Sequence, residues 1–135
     1  MGHGNTIVIA DANFTAMQLA ADKRAHPCPV IRMPGIGIAR VAQAVLSVFP
    51  LGTPAEQPVH YMQVGDTALG YMSAAQREVM QLVDAHYPSM AAQGLDRFDF
   101  YDATRSAYAI IQTGEMQPYA NFILAKGVIA DTLRI

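Results

Sequence analysis

The chain has no second cysteine, no cluster of basic residues and no apolar run long enough to span a bilayer. Its single cysteine, Cys28 in His26-Pro27-Cys28-Pro29, cannot close an intrachain disulfide, and a reducing, cytoplasmic compartment is expected. No arginine-led apolar leader opens the sequence, so neither export nor membrane insertion is expected. The nine Lys and Arg residues are scattered and the formal charge is -2, which leaves no electrostatic footprint for nucleic acid or an anionic membrane surface. Charged residues make up only 15% of the chain, against roughly 25% in ordinary soluble domains. With 52% hydrophobic residues, so apolar a chain is expected to hide surface by forming oligomers. Linkers and internal repeats are also missing, and residues 1–135 read as one domain.

Strand and helix signals alternate along the chain, which argues α/β rather than segregated α+β. Residues 6–10, Thr6-Ile7-Val8-Ile9-Ala10, form a short apolar run that reads as a buried strand. Residues 15–33 are irregular, with Pro27 and Pro29 suggesting a loop or short extended pieces. Ile38, Val41, Ala42, Val45 and Phe49 then recur at helical spacing until Pro50 and Gly52 end the element. Residues 59–64 read as a second strand, and Ser73-Ala74-Ala75-Gln76 is a capping-box signature for a second helix whose inner face carries Val79, Leu82, Val83 and His86. An apolar segment at 95–100, a short polar stretch, and apolar strands at 107–112 and 122–125 complete the chain.

Three features carry chemistry. His3 stands between Gly2 and Gly4 ahead of the first strand, and Asp11 stands at that strand's far end, where open α/β sheets place their ligands. A mobile terminus and an ordinary strand-ending turn are the plain alternatives for these two residues. The loop at 113–121 is shaped by Gly114 and Pro118 and offers Glu115, Tyr119 and Asn121, a set that suits a polyhydroxyl ligand; a structured hairpin is its plain alternative. Arg97, in Arg97-Phe98-Asp99-Phe100-Tyr101-Asp102, presents a fork of donors, with pairing to Asp99 or Asp102 as the structural default. His86 has only Asp84 as a neighbour of metal-ligand type, so no metal site is expected. Gly2-His3-Gly4 precedes a strand instead of following one, which excludes a dinucleotide-binding turn.

Taken in order, Met1-Gly2-His3-Gly4 through Asp11-Ala12-Asn13-Phe14, then Arg97-Phe98-Asp99-Phe100-Tyr101, then Thr113-Gly114-Glu115 through Tyr119-Ala120-Asn121 to Lys126-Gly127-Val128, resemble the family of L-fucose mutarotases and D-ribose pyranases. The resemblance spans nearly the whole chain. It implies a single α/β domain with a mixed β-sheet flanked by helices, and a cofactor-independent isomerase that interconverts sugar anomers. His3 matches the family's proton-donating histidine, and Asp11, Arg97, Tyr119, Ala120 and Asn121 match its monosaccharide-binding positions. Arg97 and His3-Gly4 favour the fucose branch, whereas Pro118-Tyr119-Ala120-Asn121 looks like the ribose branch. Ring-shaped homo-oligomers with sites completed by neighbouring subunits are implied as well, as is a helical segment ahead of Met1. Thr15 after Phe14, and Met33-Pro34, depart from the family pattern. A non-catalytic sugar-binding or transport accessory protein would use the same binding residues without a titrating His3.

Overall fold

Ile7, Val8, Ile9 and Ala10 point apolar side chains alternately to both faces of one strand, β1 (Thr6–Ala10), so both faces must be covered. A computed structural model describes residues 1–22 and 26–128. On one face Ile7 and Ile9 pack with α2 (Ile38–Leu46) and α3 (Ala74–His86), around Val41, Val79, Val83 and Phe122. On the other, Val8 and Ala10 pack with α1 (Ala16–Ala21) and α4 (Arg97–Thr104), around Phe14, Phe100 and Ile110. The result is a three-layer α/β domain.

The remaining strands are β2 (Val30–Met33), β3 (Val59–Met62), β4 (Gln93–Leu95), β5 (Ala109–Thr113) and β6 (Phe122–Ala125), in the spatial order β2-β5-β1-β6-β3-β4. Every pairing is parallel except those of β6, which runs antiparallel to both β1 and β3. The sheet is mixed, and five carboxyl ends converge with the amino end of β6 at one edge.

Several expectations are refined. Residues 15–33 are not wholly irregular: apart from 23–25, outside the described residues, they hold α1 and β2. Helix α1 has six residues, no side-chain cap and only Ala16 and Leu19 buried, too little to leave a periodic signal. The apolar segment at 95–100 is divided: Leu95 ends β4, Asp96 caps the next helix by accepting the Asp99 N–H at 2.8 Å, and α4 begins at Arg97. Strand β3 stops at Met62, because Gln63 turns to organise the following loop through Thr67 Oγ1 (3.0 Å) and the Ala68 carbonyl (2.9 Å). His86 is exposed at the end of α3 rather than on its inner face. The 113–121 loop is not a hairpin, since β1 lies between β5 and β6.

Candidate functional site

Asp11 is fixed from three directions where β1 leaves the sheet. Its backbone N–H donates to Asn121 Oδ1 at 2.7 Å, and the Thr113 hydroxyl donates to the preceding carbonyl, that of Ala10, at 2.8 Å. The Gln112 amide donates to the carbonyls of Ala12 and Phe14 at 3.2 and 2.8 Å, holding the chain that follows. Asp11 is 3% exposed, and its carboxylate accepts the Asn13 N–H at 3.0 Å. Burial raises its pKa above the ordinary carboxylate value; hydrogen bonds from Asn13, the Asn121 amide, Ala120 and Phe14 pull the other way. A carboxylate so placed combines a fixed position with greater basicity than a free one.

The crossover from β5 to β6 is anchored by its own polar residues. Glu115 Oε1 accepts the Ile38 N–H at 3.2 Å, satisfying the first turn of α2, and Oε2 accepts the Gln117 N–H at 3.2 Å. Gln117 Oε1 in turn accepts the Ala75 N–H at the start of α3, at 2.7 Å. Both Glu115 carboxylate oxygens are thus engaged in anchoring the crossover to α2 and to itself. Gly114 is required by close approach, since a Cβ there would stand 2.5 Å from the Gly35 nitrogen.

Tyr119 adopts a left-handed backbone conformation, φ 62°, held by Gln76, whose Nε2 donates to the Tyr119 carbonyl at 2.6 Å and the Met62 carbonyl at 2.7 Å. Gln76 is fully buried and also closes the capping box with Ser73. Its capping role is legible in the sequence, but its bracing of the site is not. The Tyr119 hydroxyl reaches over Gly65, where a Cβ would lie 2.8 Å from it. Asp11, Tyr119, Ala120 and Asn121 are thus brought together, with Ala120 contributing its backbone N–H.

Arg97 opens α4 at the same edge of the sheet, at the exit of β4. Among the described residues it forms no ion pair; its guanidinium lies 4.9 Å from the Phe98 ring centroid. Asp99 lies in the first turn of α4 and Asp102 approaches Arg105 at 3.7 Å, so the expected structural pairing with Arg97 is not made. An exposed guanidinium without a carboxylate is free to meet a ligand.

His3 stands apart. It precedes β1, and Gly4 N–H donates to the Lys126 carbonyl at the far end of β6. The five residues of β1 place it about 16 Å or more from Asp11 within one chain. There its Nε2 lies 2.5 Å from Glu56 Oε2. Among the described residues no three His, Cys, Asp or Glu side chains gather as metal ligands would.

The model of the RbsD / FucU transport protein family matches residues 1–129. The human fucose mutarotase is 36% identical over 132 residues, covering 96% of this chain and 83% of that protein. The fucose mutarotase of Streptococcus pneumoniae, solved in complex with L-fucose, superposes with a TM-score of 0.83 at 32% identity, covering 96% of this chain and 87% of that one. Bacillus subtilis RbsD complexed with D-ribose is a more distant likeness, with a TM-score of 0.69 at 25% identity over 96% and 87% of the two chains.

Proposed function

The chain belongs to the RbsD / FucU transport protein family, and from that premise we propose that it is a sugar mutarotase, interconverting the α and β anomers of L-fucose by general acid-base ring opening. The observation that carries this reading is the interlocked Asp11–Asn121 pair, with Tyr119 on the same loop, at the sheet edge where α/β proteins hold ligands. The names of its relatives supply the sugar.

Ring opening requires a proton delivered to the ring oxygen and another removed from the anomeric hydroxyl. In the proposed reaction His3, as imidazolium, donates to the ring oxygen while the buried Asp11 carboxylate takes the anomeric proton. The bond between anomeric carbon and ring oxygen breaks and the aldehyde forms. Rotation about the first carbon-carbon bond presents the other face, and closure returns both protons. Arg97 and Asn121 hold hydroxyls, the Ala120 backbone keeps Asp11 in place, and Tyr119 offers a ring face to the sugar's C–H groups.

Since His3 and Asp11 occupy opposite edges of one sheet, the reaction calls for His3 from a neighbouring copy. Such a contact is head-to-tail, and rotation by a constant angle closes it into a ring. Exposed apolar side chains stand at both edges: Leu69, Phe98 and Met116 near Asp11, Val48 and Val128 near His3. Light scattering that returns a fully active monomer refutes this arrangement. The lone cysteine supports a reducing, cytoplasmic setting for the enzyme, and among the described residues no helix is long and apolar enough to cross a membrane.

Saturation-transfer NMR on equilibrated L-fucose tests the activity. Protein-dependent transfer between the two anomeric protons is expected, with a weaker effect on D-ribose. A stronger ribose effect reassigns the substrate in line with Pro118-Tyr119-Ala120-Asn121. Line broadening without exchange makes the protein a sugar-binding accessory instead.

A further inference from the structure

We propose that Glu56 is a positioning residue for His3: it holds the Nε2–H of the imidazole, so that Nδ1 is the nitrogen that exchanges protons with the sugar. This rests on the mutarotase reading above. Glu56 lies 53 positions from His3, yet its Oε2 stands 2.5 Å from Nε2, and a carboxylate can only accept. The neutral ring is then fixed as the Nε2–H tautomer, with its lone pair on Nδ1.

Both partners are pinned to the same few residues at the end of β6. Gly4 N–H donates to the Lys126 carbonyl and Lys126 N–H returns a bond to the Asn5 carbonyl, each at 2.8 Å, which secures the turn carrying His3. Opposite, Leu51 forms an antiparallel bridge with Lys126, Gly52 N–H donates to the Ala125 carbonyl at 3.1 Å, and Gly127 N–H donates to the Pro50 carbonyl at 2.8 Å. A Cβ on Gly127 would meet the Leu51 carbonyl at 2.3 Å, so that junction depends on glycine.

The carboxylate itself is aimed by a second set of contacts. In the short 3₁₀ turn Pro54–Glu56, Glu56 Oε1 accepts the Thr53 N–H at 2.8 Å and the Thr53 hydroxyl at 3.3 Å, leaving Oε2 for the histidine. A Cβ on Gly52 would lie 2.9 Å from Oε1, so the absence of a side chain there gives the carboxylate room. The Thr53 N–H first, and then His3, hold the Glu56 carboxyl below its ordinary value, consistent with an ionised acceptor at neutral pH.

During ring opening the imidazolium gives its Nδ1 proton to the ring oxygen and becomes the neutral Nε2–H form; on closure Nδ1 takes the proton back. Glu56 keeps its negative charge throughout and touches no sugar atom. Without it the ring samples both tautomers and rotates freely.

The test uses the full-length ¹⁵N-labelled protein, with long-range ¹H–¹⁵N correlation of the imidazole and saturation transfer on L-fucose. In the wild type, His3 is expected as the Nε2–H tautomer. Glu56→Gln should redistribute the tautomers and lower kcat roughly 10- to 100-fold while KM stays within about twofold, a smaller loss than removal of the general acid itself. Glu56→Ala should be slower still and regain exchange when formate, but not chloride, is added; rescue by a small carboxylate is beyond a purely structural role. An unchanged tautomer or an unchanged kcat in Glu56→Gln overturns the proposal, as does an Nδ1–H tautomer in the wild type. A wild type that exchanges no fucose overturns the mutarotase reading and the catalytic part of this proposal with it, whereas the tautomer spectra still decide whether Glu56 orients the ring.

Discussion

Asn121→Ala isolates the interaction on which the geometry around Asp11 most depends. Asn121 and Asp11 are 2% and 3% exposed, and Asn121 Oδ1 accepts the Asp11 N–H at 2.7 Å. Alanine leaves that N–H buried without an acceptor, a loss of about 1–3 kcal/mol. It also removes the Asn121 amide, which helps to hold the Asp11 pKa down against the effect of burial. The Asn13 N–H remains on the carboxylate at 3.0 Å, so the stranded Asp11 N–H is the main loss and the total stays near the upper end of that range, ~3 kcal/mol. Of the roughly 5–15 kcal/mol that stabilise a domain, that is a large share.

The penalty should also depend on pH, with a definite sign. Burial already raises the Asp11 pKa in the folded protein above its unfolded value, and loss of the Asn121 donor raises it further. A native state that binds the proton more tightly than the unfolded chain loses stability as pH rises from the unfolded value through the folded one. The excess penalty of the variant is therefore full at neutral pH and shrinks as pH falls toward the ordinary carboxylate range. Urea midpoints of both proteins, at equal protein concentration and at neutral and mildly acidic pH, measure this directly. A loss below about 1 kcal/mol at neutral pH, or the same loss at both, refutes the reasoning.

His3→Ala should cut fucose exchange by roughly 10²-fold or more while moving the urea midpoint little, because the side chain is half exposed and its partner is solvated. Arg97→Ala should raise KM for L-fucose roughly tenfold and leave stability unchanged, as the guanidinium holds no carboxylate; a stability loss without a KM effect makes Arg97 structural. Gly65→Ala pushes a methyl to within 2.8 Å of the Tyr119 hydroxyl, and displacing that ring should slow exchange about tenfold with near-native unfolding. Wild-type exchange in this variant frees Tyr119 of any role at its hydroxyl end.

What the sequence discloses here is local. Residues 6–10, the stripe from Ile38 to Phe49 and the Ser73-Gln76 box are readable because periodicity and capping chemistry act within a few residues. Strand β4 is three residues long with half-buried side chains, too short to show a period. Helix α4 carries a signal in Asp96 and Asp99, but its weakly amphipathic face obscures it. Glu115 is ambiguous in sequence because its partner, the Ile38 N–H, is 77 residues away. The insertion of β1 between β5 and β6 is equally nonlocal, and it is what makes the 113–121 segment a crossover. The resemblance names Asp11, Tyr119, Ala120 and Asn121, which the fold gathers at one end of the sheet, and the strand between His3 and Asp11 already sets the histidine at the other.

Strand β6 begins beside the Asn121–Asp11 pair and ends at the glycine-pinned turn that carries His3 and Glu56. It is therefore a ruler. Four residues, antiparallel to both neighbours, set the distance between the two halves of the proposed chemistry and hence the repeat of any head-to-tail assembly built from them. Removing a single residue from it would turn every later side chain to the opposite face and shorten that repeat by about 3.3 Å. Changes of length can be absorbed by the loops leading to the outer helices, but in β1 and β6 the spacing of the proposed assembly would follow strand length directly.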